Sequence, residues 1–418
     1  MYRLLFIAFF AFVIQRVEAQ LDSQEKEFPR SFKVEVVNPL NAPRESVLVI
    51  VTADQLKKVK GFNKKAFVAL VGNTEIASQY NEQENSKGIA LVLSNFGPKE
   101  KREVVIRFNP SGDSHRNYPK LTQAELSYKA GGEWKGREYI GGTFKNTEFL
   151  RVPKEHKDHS WFIRYEGPGW ESDKVGYRLY LDQRNATDVF GKKVTEPVLQ
   201  QVGLDGFDSY HNPQPWGMDV MKVGKSLGVG SIGAMLKGAA IRVEKTDSVS
   251  CLIAENGPVY SAVRINYSGW QIGDKKHNLT SQLSIHSGTR LTREYIKVSG
   301  DPQSLCTGIV KDVKAKLTNS KGDATHWGYV ATYGAQSLNN DDLGLVVFFD
   351  PAQFAGFTDD EFSHIVSLKP KGGELQYYLA GVWSGEPGGI TSETAFAEYV
   401  KAMAAELAHP VQVQVVLK

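Results

Sequence analysis

Short runs in which apolar and polar residues alternate recur along this chain, bounded by Gly, Asn, Asp and Pro. Residues 32–37, 47–51, 104–108, 241–243 and 345–349 are the clearest. Alternation of period two puts successive side chains on opposite faces, so each run predicts a strand closed by turns. No helical stretch follows each strand, which argues against a doubly wound parallel fold. The expected class is all-β with few helices: a small N-terminal β-sandwich over residues 28–110, then a large antiparallel sandwich over residues 124–418. The larger part is expected to be a super-sandwich of two extended sheets. Phe32-Lys33-Val34-Glu35-Val36 alternates cleanly, and a Lys/Glu-rich stretch with Asn109-Pro110-Ser111-Gly112-Asp113 reads as a linker. One helix is well signalled. Thr391 or Ser392 caps it, Glu393 sits in its first turn, and Phe396, Tyr399, Val400, Met403 and Leu407 share a face. Pro410 stops it, and Val411, Val413 and Val415 alternate as a closing strand.

The N-terminus reads as an export leader. Arg3 is the positive start, residues 4–14 form an apolar run, and Val17-Glu18-Ala19 is a small-residue cleavage pattern, which predicts a mature start at Gln20. That run is far shorter than the ~20 residues a bilayer crossing needs, and no Cys follows it to accept a lipid. An exported protein, periplasmic or secreted and without a membrane span, is the expectation. The net charge is +3, and removing Arg3, Arg16 and Glu18 with the leader leaves +2. A balance so near neutral offers no field for nucleic acid, so an acidic ligand needs a local cationic site. Cys251 and Cys306 either pair or sit as buried thiols. C-x-x-C and H-E-x-x-H spacings are absent, and neither a metal nor a cofactor is expected.

Three stretches carry candidate chemistry. Read as a strand, residues 174–182 put Val175, Tyr177, Leu179 and Leu181 on a core face, and Lys174, Arg178, Tyr180 and Asp182 on the other. The polar face suits either a wet groove or a solvated surface with cross-strand ion pairs. Before it, Gly167-Pro168-Gly169 reads as a turn presenting Trp170, Glu171 and Asp173 from a loop. The second stretch holds Tyr210, His211, Trp216, Asp219 and Lys222 among prolines and glycines. Loops of this kind carry functional groups disproportionately, and His with Tyr supplies a proton acceptor and donor. Gly224, Gly228, Gly230 and Gly233 lack a phosphate-loop context and read as turns. The third stretch, HWGYVATYG, offers His326 either as a second titratable group or as a core histidine. No G-x-S-x-G elbow occurs.

The runs HSWFIRYEGPGWESDKVGYRLYLDQRNATDVFGKK, SYHNPQPWGMDVMKVGKSLGVGSIG and HWGYVATYG together resemble one family. It was long labelled a domain of unknown function and includes an oligosaccharide dehydratase acting on ulvan fragments. The resemblance extends from Gln123 through Pro351 and more faintly into both ends, TQAELSYKAGGEWKGREYIGG is similar to the ulvan-associated branch, and by analogy the larger sandwich is expected to be mutarotase-like. It implies an exported enzyme of polysaccharide breakdown acting on an oligosaccharide with a saturated uronic acid at its non-reducing end. Loss of water across C4 and C5 would leave a 4,5-unsaturated uronyl residue. Such an elimination needs a cation for the carboxylate, a base for the C5 proton and an acid for the departing hydroxyl. The residues at hand assign Arg178 or Lys222 to the carboxylate, His211 as base and Tyr210 or Tyr180 as acid. Trp170 and Trp216 are assigned to stacking, Glu171, Asp173 and Asp219 to sugar hydroxyls or to orienting the His, and His326 to the groove. Two alternatives remain open: a polysaccharide lyase expelling a sugar, and a non-catalytic carbohydrate-binding protein.

Overall fold

A computed structural model describes residues 24–300 and 302–417, so the expected leader, residues 1–19, lies outside the described residues. The chain divides into two compact units, Met1–Pro119 with Pro410–Lys418, and Lys120–His409.

In the first unit, a five-stranded sheet runs in the order Gln412–Val416, Arg30–Val37, Lys101–Phe108, Phe67–Val71, Thr74–Ile76. A three-stranded sheet of Arg44–Thr52, Gly88–Phe96 and Ser78–Asn81 shares its core. Phe32, Val34 and Val36 meet Val47, Val49 and Val51 there, as their alternation requires. The closing strand corrects the expected division. It pairs antiparallel with Arg30–Val37, Lys33 opposite Val416, and its Val413 and Val415 pack on the first unit's core. The range 124–418 therefore runs one strand too far.

The second unit is built on a nine-stranded antiparallel sheet. Its order is Phe149–Arg151, Ser248–Asn256, Tyr260–Ile272, Lys275–His286, Thr292–Val298, Glu374–Trp383, Leu343–Phe349, Gly328–Gly334, Ala315–Ser320. Around Leu343–Phe349 both faces of this sheet are covered. Along Leu343–Phe349, Leu345, Val347 and Phe349 enter the main core, while Val346 and Phe348 meet Phe396, Val400 and Ala404 of the helix Glu393–Ala408. A strand buried on both sides reads as a continuous apolar run, and this one does. Ser392 caps the helix, its side chain accepting from the Ala395 amide. A Cβ at Gly344 would lie 2.3 Å from the Phe396 ring, so glycine is what lets the helix seat. All-β architecture with antiparallel ladders is thus the observed class. Cys251 and Cys306 are free and buried. Among the described residues, no helix is long and apolar enough to cross a membrane.

A smaller five-stranded sheet carries the functional candidates, in the order Gly217–Asp219, Thr187–Lys192, Val175–Leu179, Gly169–Ser172, Thr122–Glu125. One of its faces contributes Trp170, Tyr177 and Val189 to the main core. The opposite face holds Phe190, joined by Leu199, Val202, Phe207 and Tyr210 from the chain that follows.

Candidate active site

Strand alternation decides which side chains share that second face. Arg178 stands directly opposite Asp188, Glu171 opposite Gly176, and Asp219 opposite Phe190. The face therefore carries Glu171, Arg178, Asp188, Lys192 and Asp219. It is neither a wet groove nor a solvated surface, because every residue of the three inner strands is buried. Buried charges persist only when paired, and these are. Glu171 meets Lys192 at 2.7 Å, both fully buried, and also accepts from the Val198 and Leu199 amides.

At the centre is Arg178, 2% exposed, with every guanidinium nitrogen engaged. Its Nε donates to Asp188 at 3.0 Å, Nη1 to the Tyr210 hydroxyl at 3.0 Å, and Nη2 to Tyr180 (2.8 Å), Asp188 (2.7 Å) and Asp219 (2.5 Å). Tyr180 in turn donates to Asp188 at 2.6 Å. Burial opposes the Arg178 charge, but Tyr180, Tyr210, Asp219 and Asp188 outweigh it and hold the guanidinium protonated well beyond its ordinary range. Burial first, then the neighbouring Asp219, pushes Asp188 up to about 6. Burial likewise raises both phenols, so Tyr180 and Tyr210 stay protonated at any physiological pH.

His211 is where this buried network reaches the surface. It ends a short 3-10 turn, Ser209–His211, over the small sheet. Its Nε2 lies 3.4 Å from the Asp219 carboxylate, the ring is 4.6 Å from Tyr210, and the side chain is 42% exposed. The hydrogen bond to Asp219 raises its pKa against the opposing effect of burial, and a backbone hydrogen bond with Phe207 acts in the same sense. The contact strengthens the ring's hold on a proton, which suits it to carry one at the edge of this network.

Several expected roles change. Arg178 has no free donor for a ligand carboxylate. Tyr180 and Tyr210 spend their hydroxyls on it inside the fold. Gly169–Ser172 is an inner strand, not a loop: Trp170 stacks on Tyr177 and donates to Thr292, and Glu171 is locked on Lys192. Gly167 is extended rather than left-handed. Glycine is needed there because a Cβ would lie 1.8 Å from the Leu179 carbonyl oxygen. Asp173 accepts from the Gly288 amide at 2.5 Å and holds a turn. Lys222 is exposed and lines a separate cleft of about 210 Å³ with Lys225, Lys311, Asp312 and Glu361. His326 precedes its strand, Gly328–Gly334, in a turn built on Asp323 and Thr325. Trp216 is half-buried beside Phe190. Of the expected set, Arg178, Tyr180, Tyr210, His211 and Asp219 come together.

Sequence reasoning missed Asp188, although a hairpin register through residues 183–186 places it across from Arg178. It included residues 159–166 in the first stretch but gave none of them a role, although residues 158–166 cover the same face. There His159, Trp161, Tyr165 and Glu166 all have positive φ, at 59°, 62°, 36° and 71°. Non-glycine residues held in this region cost on the order of 1–3 kcal/mol each, and such strain concentrates at functional sites. Oxygens or nitrogens of Asp158, His159 and Glu166 lie within 4.8 Å of one another, a spacing open to a cation. A cation is already there. Arg184 pairs with Asp158 at 2.9 Å and with Glu166 at 2.8 Å, its guanidinium 3.8 Å above the Tyr180 ring.

Two bacterial structures overlay most of the chain. An alpha-mannosidase from Enterococcus faecalis V583 aligns at 8% identity and a TM-score of 0.46, covering 93% of this chain and 46% of that one. A protein in glycosyl hydrolase family 38 from Enterococcus faecalis aligns at 8% identity and a TM-score of 0.43, covering 93% and 47%. The chain thus spans about half the length of each. No curated protein matches it. A family profile described as "Domain of unknown function (DUF4861)" matches residues 36–413, so most of its length is accounted for, and the chain belongs to that family.

Proposed function

We propose that this protein is an exported carbohydrate-active dehydratase. It removes water across C4 and C5 of a saturated uronic acid at the non-reducing end of ulvan-type oligosaccharides, leaving a 4,5-unsaturated uronyl end. The observation that carries the reading is His211, exposed at the rim and hydrogen-bonded to a buried Asp219 that Arg178 holds from behind. A binding surface has no need of a proton donor backed by a buried charge relay. The leader pattern and the resemblance of the sequence runs quoted above support export and the substrate class.

The C5 proton lies α to a carboxylate, so its removal builds charge on an ionised group and demands a nearby cation. His211, when protonated, brings positive charge to the exposed rim of this face, where Arg178 is saturated. It then protonates the departing 4-hydroxyl, a poor leaving group as hydroxide. Asp219 fixes the ring, and Arg178 keeps Asp219 in place without taking its proton-accepting role from the imidazole.

The test is incubation with oligosaccharides ending in saturated glucuronic or iduronic acid, read by mass spectrometry and ultraviolet absorbance. Loss of one water at unchanged chain length, with a rising alkene band, is expected, and His211→Asn should lower the rate ~10²–10⁴-fold. Chain shortening would make the protein a lyase. Binding with neither change would make it a carbohydrate-binding protein.

A further inference from the structure

Elimination takes one proton and delivers another, and a single imidazole at the rim, His211, fills only one of those parts. We infer that His159 is the second proton carrier of the same site and takes the C5 proton; this rests on the dehydratase reading above.

Two relays of like construction meet on the covered face. In one, His211 contacts Asp219 and Asp219 is held by Arg178. In the other, His159 Nδ1 lies 2.7 Å from Asp158, and Asp158 is held by Arg184 at 2.9 Å. Tyr180 joins them, with its hydroxyl on Arg178 and its ring beneath Arg184. Ring contacts link the two histidines through Phe207 and Tyr210: His159 is 5.0 Å from Phe207, Phe207 is 6.3 Å from Tyr210, and Tyr210 is 4.6 Å from His211. Trp161 stacks 4.1 Å from the same Phe207 and supplies a flat apolar wall.

The two imidazoles differ in what they leave open. In His211 the nitrogen facing its carboxylate is Nε2, 3.4 Å from Asp219. His159 gives Nδ1–H to Asp158, which fixes the tautomer and leaves Nε2 with its lone pair directed outward from a side chain 61% exposed. A carboxylate that orients a histidine this way makes the far nitrogen the acceptor. The strained backbone is what presents the ring. His159 sits at φ 59° with its amide donating to Glu166 at 2.9 Å.

In the step itself, Nε2 of His159 takes the C5 proton and the C–H pair moves into the C4–C5 bond through the carboxylate-stabilised carbanion. The C4–O bond breaks as His211 protonates the oxygen, and water leaves. Solvent then returns the proton from His159 to His211, so no oxidant, reductant or metal is required.

The experiment uses the full mature chain and an oligosaccharide ending in saturated glucuronic acid. His159→Asn is the variant of choice, because Asn tolerates the left-handed backbone. It should lower kcat ~10²–10³-fold with KM within about threefold, and Asp158→Asn should give a smaller kcat loss through misplacement of the ring. Imidazole NMR signals of both His159 and His211 should move when the oligosaccharide is added to wild-type protein. If wild-type protein makes the unsaturated product and His159→Asn keeps near-full kcat, the dehydratase reading stands and the role of His159 falls. If wild-type protein converts no uronate-ended oligosaccharide, the dehydratase reading falls and the proton role of His159 falls with it. The NMR titration then decides the remaining claim: movement at both rings keeps one shared ligand site, and movement at His211 alone or at neither overturns it.

Discussion

Replacing Arg178 by Met removes the one cation that faces both Asp188 and Asp219 while keeping an unbranched side chain of similar length. Five hydrogen bonds are lost, to Asp188 twice, Asp219, Tyr180 and Tyr210. The two carboxylates stay buried. Breaking a buried ion pair from one side costs roughly 3–5 kcal/mol, because the remaining charge has no compensation. The cost depends on pH in a definite direction. Asp188 already sits at about 6 in the native state, above its unfolded value, so native protein binds the extra proton between the two values and stability falls as pH rises through that window. Without Arg178 the native value climbs further and the window extends to higher pH. The deficit should therefore be near its full size at pH 8 and clearly smaller at pH 5. Urea unfolding followed by tryptophan fluorescence measures it directly, since all seven tryptophans belong to the Lys120–His409 unit. Asp188→Asn in the Arg178→Met background should recover part of the loss at pH 8. A deficit under about 1 kcal/mol at pH 8, or one of equal size at both pH values, would refute the claim that Arg178 exists to neutralise this pair.

Two further outcomes follow from buried or half-buried titrating groups. Asp219→Asn removes the hydrogen bond that raises His211, so the His211 NMR titration should move to lower pH; in the wild type, the stability contributed by this pairing is present below the unfolded histidine value and is lost as pH rises through the folded one. Glu294 is buried in Thr292–Val298 with Ser281 donating to it, and burial pushes it up to about 8. Native protein thus holds a proton that the unfolded chain has released, and stability should fall by on the order of 4 kcal/mol as pH rises from about 4.5 to 8. Glu294→Gln should flatten that profile in thermal or urea unfolding across the range, and parallel profiles for variant and wild type would show that Glu294 is charged after all.

Much of the fold was legible because period-two alternation is a local property. The strands Arg30–Val37, Arg44–Thr52 and Leu343–Phe349 appear where the pattern puts them, and the helix Glu393–Ala408 starts at the cap its sequence advertises. Alternation also sorted Arg178 and Tyr180 onto one face and Tyr177 onto the other. It says nothing about what covers a face. The polar side of Val175–Leu179 has the same pattern whether it meets water or residues 156–216, and only the tertiary structure decides that it is buried. The same holds for the closing strand, whose partner Arg30–Val37 lies almost four hundred residues earlier, a pairing that depends on chain return rather than on local preference. Charge pairing is equally non-local. His211 and Asp219 could be named from one turn-rich stretch, but their contact through Nε2 depends on a carboxylate held by an arginine two strands away.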